Sequence, residues 1–137
     1  MSERVFTILN QAISTATSIT TVPHGDIPET VKGICMQAAF TYGAGGTSVI
    51  AYLQTSLDDG ATYFDIACFS FTTSSLTNMY TVNNETARTT AVVPTNATLA
   101  ANTVVNGLVG NHLRVRYVTT GTYTGVTLLK IDLTLMV

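Results

Sequence analysis

The sequence predicts an all-β protein, folded as a single antiparallel β-sandwich or a jelly-roll-like barrel of about eight to ten short strands. The first observation is the end of the chain, where every second residue from Leu129 to Val137 is apolar and the positions between them carry Lys130, Asp132 and Thr134. The second is Asp58-Asp59-Gly60, which lies between two apolar runs and is typical of a tight hairpin turn. The third is that turn signals recur roughly every 8–12 residues, without the apolar spacing of a long helix.

The first thirty residues are predicted to form an N-terminal strand or arm followed by a loop. Alternation predicts a short strand at 4–9, and the β-branched run at 15–22 predicts either a second strand or an extended arm. Residues 22–30 contain Pro23, Gly25 and Pro28, which favour a loop. We therefore expect one domain overall, with a candidate docking region at 1–30 and a sandwich core at 31–137.

The core region divides into strong strands, weak strands and connections. Strong strands are predicted from apolar or alternating runs at 31–42, 47–55, 62–71, 113–120 and 126–137. The Thr-rich segment 79–93 predicts one or two weak strands on either side of Asn83-Asn84, and 103–108 predicts a short strand or turn. Turns or polar loops are expected at 43–46, 72–78, 94–102 and 121–125.

The hairpin at the centre of the chain has the spacing Ser-x-Asp-x-Gly-x-Thr-aromatic. This is the Asp-box pattern, which occurs on hairpins of many β proteins, sialidase propellers included. We expect Asp58 to accept hydrogen bonds from the turn, Gly60 to adopt a positive φ, and Tyr63 to anchor the returning strand in the core. The motif predicts a fold element and no chemistry. The predicted turn-forming residues are Ser56, Asp58, Asp59, Gly60, Thr62 and Tyr63.

The surface is expected to be unusually poor in charge. Charged residues make up 10% of the 137 residues, against about 25% in an average soluble domain. Charge keeps neighbouring domains apart, so this composition favours a homo-oligomer or a subunit covered by other subunits over a monomer with a Thr-rich face. A net charge of −2 argues against a nucleic-acid partner. No run of about 20 apolar residues predicts a membrane span, and we see no signal peptide at the start.

No catalytic, metal or cofactor site is predicted, and we expect no enzyme. His24 and His112 have no Cys or His at metal-ligand spacing, and no Gly-x-Ser-x-Gly elbow is present. Asp58 and Asp59 are expected to serve the turn, although a calcium ion there is an alternative. Cys35 and Cys68 fall in predicted strands. Buried free thiols are expected, with a disulfide between facing strands as the alternative.

Two sets of residues are candidate interface positions. Arg114 and Arg116 share one face of a predicted strand, where they either pair with Asp132 or Asp65 across the sheet or contact another subunit. Three apolar side chains lie among Ser and Thr with few local partners to form a core, which suits an arm that adds a strand to a neighbour. These are Ile13, Ile19 and Val22.

Three segments of the chain resemble small virion proteins of tailed bacteriophages: residues 52–67, 99–108 and 112–123. The resemblance implies a non-enzymatic structural subunit, assembled in the host bacterial cytoplasm and located in the virion. Its natural role is capsid decoration (cement) by binding the major capsid protein, with a head–tail connector or tail component as an alternative. A carbohydrate-binding module of a fibre is a second alternative. The resemblance defines no functional residues and leaves the N-terminal stretch uncovered.

Overall fold

Two four-stranded antiparallel sheets pack face to face around one apolar core, which confirms the predicted all-β sandwich. The structure is a computed structural model that describes residues 3–27 and 31–136, except the side chains of residues 3, 4, 17–20 and 22–26. Its strands are β1 (Glu3–Ala12), β2 (Thr17–Asp26), β3 (Gly33–Thr41), β4 (Ala44–Gly45), β5 (Ser48–Ser56), β6 (Phe64–Phe71), β7 (Leu76–Asn83), β8 (His112–Thr120), β9 (Tyr123–Thr124) and β10 (Leu128–Met136). Sheet A has the order β1-β10-β3-β7 and sheet B the order β2-β8-β5-β6, while β4 and β9 form a short ribbon.

The core is built from the inward parity of each strand. In β10 the predicted apolar parity is buried, with Leu129, Ile131, Leu133 and Leu135 almost free of solvent contact. Each of these side chains stabilises the fold by roughly 1.5–3 kcal/mol through burial. Aromatic rings close one end of the core, where Phe40 stacks on Phe71 at 5.1 Å between ring centroids. The predicted C-terminal core strand is confirmed.

The N-terminal residues are built into both sheets. β1 pairs with β10 along its whole length, and β2 pairs with β8. The predicted loop at 22–30 is wrong as far as Asp26, and residues 28–30 lie outside the described residues. Pro23 is tolerated because β2 is an edge strand and its register shifts between Pro23 and Gly25. The described part of residues 1–30 therefore belongs to the sandwich. The prediction of an extended arm is wrong for these residues.

The segment between β7 and β8 is the main departure from regular structure. β7 already begins at Leu76, inside the predicted polar connection, and no second strand follows Asn83 among the described residues before β8. Within this segment, residues 95–105 run beside β6, where the Cys68 N–H donates to the Thr103 carbonyl and the Val105 N–H to the Ile66 carbonyl. This segment covers the free edge of β6, which limits pairing with another chain there.

The two cysteines are free and differ in exposure. Cys68 is buried, as predicted, whereas the prediction for Cys35 is wrong because Cys35 is exposed. The inward parity of β3 is taken by Ile34, Met36 and Phe40, which leaves Cys35 on the outer face of sheet A. Cys68 lies in sheet B, so the alternative of a disulfide between them does not hold.

Candidate functional site

The predicted hairpin turn is present, and its polar side chains bond to one another. The Ser56 hydroxyl donates to Asp58 Oδ1 at 2.7 Å and accepts from the Gly60 N–H at 2.9 Å. Asp58 also accepts from the Thr62 N–H and the Thr62 hydroxyl. These bonds, with the Thr62 hydroxyl first, lower the pKa of Asp58 to about 2. Gly60 has φ 89° and Asp59 has φ 63°, so two residues of the turn adopt the left-handed region.

Tyr63 does not anchor the core, which corrects its predicted role. It precedes β6 with the same parity as Asp65, and its half-buried ring lies on the outer face of sheet B. The guanidinium of Arg114 stacks over this ring at 4.0 Å from the centroid. The turn therefore joins a cation–π contact on the sheet, which the motif alone did not indicate.

Gln54 and Asp65 form the centre of a polar network on this outer face. Asp65 is only 1% exposed, and its carboxylate accepts five hydrogen bonds. Oδ1 accepts from Gln54 Nε2 and the Ala97 N–H. Oδ2 accepts from the Thr95 hydroxyl and from the N–H groups of Thr98 and Leu99. The network thus fastens residues 95–99 of the long connection to β6.

Gln54 connects this carboxylate to both arginines of β8. Its Nε2 donates to Asp65 Oδ1 at 2.7 Å and to Asn96 Oδ1 at 2.8 Å, and its Oε1 accepts from Arg114 Nε at 2.7 Å. Asn96 Oδ1 also accepts from Arg116 Nη1. Arg114 and Arg116 share a face as predicted, but their predicted direct pairing with Asp65 or Asp132 is wrong. Asp65 is reached through Gln54, and Asp132 lies in sheet A beside Thr7 and Lys130.

The outer face of sheet A is the second candidate surface. Strand register aligns its outward positions in three rows of four residues, and each is exposed or half-buried. Asp132 and Lys130 are the charged members of these three rows, and they lie 3.8 Å apart as an ion pair. A groove of about 440 Å³ opens between β3, β7 and β10 on this face. The rows are Val5, Thr134, Cys35 and Thr81; Thr7, Asp132, Gln37 and Met79; and Asn10, Lys130, Ala39 and Thr77.

Of the three predicted apolar interface residues, Ile13 is the one whose side chain the structure describes, and it is buried. Ile13 is 5% exposed and belongs to the core, and its N–H donates to the Thr127 carbonyl. Its predicted contact with a neighbour is therefore wrong, since the fold itself supplies its partners. The side chains of Ile19 and Val22 lie outside the described ones, although their backbone is part of β2.

The remaining candidate chemistry is sparse. His112 lies 3.8 Å from Asp59 and 3.0 Å from Asn111, while the side chain of His24 is outside the described ones. Within residues 3–27 and 31–136, no three His, Cys, Asp or Glu side chains are grouped so that they could share a metal ion. That same part of the chain has no helix of the length and apolarity needed to cross a membrane.

Gln54, Asn96 and the outer face of sheet A were missed by sequence reasoning. An uncharged polar residue inside the apolar strand 48–56 was the available signal for Gln54, because a buried amide needs partners. Asn96 carried no such signal, since its partners lie far away in sequence. No protein-family model matches this sequence, and the search of curated proteins found no match either.

Proposed function

We propose that this chain is a non-enzymatic structural subunit of a tailed-bacteriophage virion, namely a capsid decoration (cement) protein that binds the major capsid protein. The observation that carries the proposal is the outer face of sheet A. The outward positions of its three rows are occupied by mostly short, uncharged side chains, and the two charged ones among them, Lys130 and Asp132, form an ion pair. A surface of this kind can pack closely against another protein without leaving a buried charge unpaired.

Exposed apolar side chains on this face strengthen the argument. Met79 is 68% exposed and Val5 is 72% exposed, at opposite sides of the sheet. Met adapts its shape to a partner surface, and Val adds apolar area without any polar group to satisfy. Together with a composition that is 10% charged, this supports a protein that works inside an assembly. The same reasoning supports homo-oligomers on the particle, with the virion as the location after assembly in the host cytoplasm.

The alternative of a carbohydrate-binding module is not favoured by the tyrosines. A sugar platform needs an aromatic ring with an open face, but none of the six tyrosines is exposed. Tyr52 and Tyr123 are buried, and Tyr123 donates its hydroxyl to the Thr72 carbonyl. The rings of Tyr42 and Tyr123 pack edge to face against each other. These rings serve the fold, so the structural role is the better supported proposal.

The test is to purify the phage particles produced from a genome that encodes this chain and to quantify the chain by mass spectrometry. A decoration protein should occur in numbers comparable to the capsid protein, whereas a few copies per particle would favour the head–tail or tail alternative. Particles assembled without the chain should release DNA at a lower temperature, and adding the purified chain should restore the original value. Absence of the chain from purified particles would overturn the proposal.

A matched pair of variants locates the contact. Met79→Lys adds a charge to the outer face of sheet A, whereas Val93→Lys adds the same charge to an 84% exposed position in the long connection. We expect Met79→Lys to reduce binding to undecorated particles at least tenfold and Val93→Lys to leave it unchanged. Equal binding by both variants, with unchanged thermal melting, would exclude this face as the contact.

A further inference from the structure

Arg114 and Arg116 lie on the outer face of sheet B, opposite the side used in the proposal above. They occupy positions two residues apart on β8, so their side chains leave the sheet in the same direction, about 7 Å apart along the strand. Both side chains are half-buried and retain contact with solvent. The pair therefore places two positive charges at one place on a chain with few charges.

Each guanidinium is held in place by neutral groups. Arg114 Nε donates to Gln54 Oε1, and the Cζ atom of the guanidinium lies over the ring of Tyr63. Arg116 Nη1 donates to Asn96 Oδ1. Gln54 is fully buried and is itself fixed by Asp65, so it cannot easily turn away from Arg114. The terminal nitrogens of Arg114 are thus oriented before any ligand arrives, which reduces the entropy lost on binding.

No described carboxylate forms an ion pair with either arginine, although the charge of Asp65 acts on Arg114 in the direction that raises its pKa. Asp65 is the nearest acidic group in the network, but its oxygens are already occupied by five donors. Partial burial and then the neighbouring positive charge of Arg116 lower the pKa of Arg114. The Nε–H of Arg116 is buried and has no hydrogen-bond acceptor. An unpaired buried donor is rare in proteins, but this N–H is not itself reached from solvent, so the capacity for a ligand lies in the terminal nitrogens of the two side chains.

We propose that Arg114 and Arg116 form a binding site for the carboxylate groups of an acidic segment on a partner protein. A carboxylate matches the planar fork of a guanidinium and accepts two parallel hydrogen bonds from it. Two acidic side chains that are two residues apart in an extended peptide point to the same side. Their spacing along the peptide is about 7 Å, which matches the spacing of Arg114 and Arg116. Binding supplies negative charge and acceptors to the terminal guanidinium nitrogens and so offsets the two neighbouring positive charges.

The test uses an acetylated tetraglutamate peptide as the probe and NMR as the readout. We expect the peptide to shift the Nε–H signals of Arg114 and Arg116, and the shift to saturate with increasing peptide. Arg116→Gln and Arg114→Gln should each weaken binding at least fivefold. Arg114→Lys should weaken it as well, since an ammonium keeps the charge but lacks the fork. Arg88→Gln is the matched control: it removes one positive charge from the long connection and should leave the affinity unchanged.

Three results would overturn this proposal. One is a lack of saturable shifts with tetraglutamate; another is loss of affinity in Arg88→Gln equal to that in Arg116→Gln. The third is stronger binding of inorganic phosphate than of the peptide, which would assign the site to phosphate instead of carboxylate. Thermal melting of each variant shows whether it is folded before binding is compared. None of these measurements involves virus particles, so they can fail or succeed independently of the proposed function.

Discussion

Asp65→Asn tests whether the network on the outer face of sheet B stabilises the fold. The substitution keeps the size of the side chain but replaces one acceptor oxygen by an NH₂ donor. If the amide oxygen takes the place of Oδ2, it keeps the bonds from Thr95, Thr98 and Leu99. The new NH₂ group then faces two other donors, Gln54 Nε2 and the Ala97 N–H. At least two hydrogen bonds are therefore lost in the better of the two orientations.

The expected loss of stability follows from those two bonds. A hydrogen bond to a charged group is worth about 1.5–3 kcal/mol, so two such bonds give roughly 3–6 kcal/mol. Rotation of the Gln54 amide cannot recover this loss. It would offer Oε1 to the new NH₂ group but would turn Nε2 towards Arg114 Nε, which is also a donor. Proteins of this size have free energies of unfolding of about 5–15 kcal/mol, so the variant should be severely weakened.

Equilibrium unfolding in urea measures this change. With a slope of about 1–3 kcal/mol per molar, a loss of about 3 kcal/mol lowers the midpoint by roughly 1–3 M. Asp59→Asn is the control, since this exposed carboxylate accepts a single side-chain bond from Asn111 and its change should cost less than about 0.5 kcal/mol. A loss under about 1 kcal/mol for Asp65→Asn, or equal losses in both variants, would refute the reasoning.

Three further predictions concern packing, sheet orientation and pH. A Cβ on Gly110 would lie 1.6 Å from the Ser56 carbonyl oxygen. Gly110→Ala should therefore lower the free energy of unfolding, measured in urea, by more than about 3 kcal/mol. An unfolding midpoint equal to that of the parent protein would contradict this close approach. Leu133→Asp should abolish folding while Asp132→Ser stays nearly neutral by circular dichroism, because the two face opposite sides of β10; similar spectra from both would contradict that orientation. Because the pKa of Asp58 is lowered in the folded state, the stabilisation by its carboxylate is complete above about pH 4 and is lost as the pH falls towards about 2. Asp58→Asn should remove this pH dependence from the free energy of unfolding between about pH 4 and 2.

The elements that could be predicted from the sequence are those whose signal is local. Alternation over 128–136 fixes which side of β10 is buried, and the Asp58-Asp59-Gly60 turn fixes the pairing of β5 with β6. Such signals depend on neighbouring residues and on backbone conformations that few residue types adopt. The same signals could not place Pro23, whose loop propensity was overridden by an edge position in sheet B.

The candidate site depends on contacts between residues that are distant in sequence. Gln54 bonds to Asp65 across the hairpin, but its bond to Asn96 spans 42 residues and requires the long connection to fold back over sheet B. That connection has no alternation and forms one isolated bridge, between Ala67 and Val104. Its position is set by hydrogen bonds to the buried Asp65 carboxylate and by backbone hydrogen bonds to β6, and neither propensity nor periodicity carries information about such bonds.

The outer faces of the two sheets differ in how much of each is covered by the rest of the chain, and this difference matters for both proposals. Residues 95–105 lie against the edge and outer face of sheet B, and among its described side chains the buried polar atom without a hydrogen-bond partner is Arg116 Nε. No described segment covers the outer face of sheet A in this way, and its exposed side chains include Val5 and Met79. A broad neutral face suits a contact made by shape, whereas two fixed guanidinium groups suit a contact made by charge. Because the faces belong to different sheets, loss of either contact should leave the other intact.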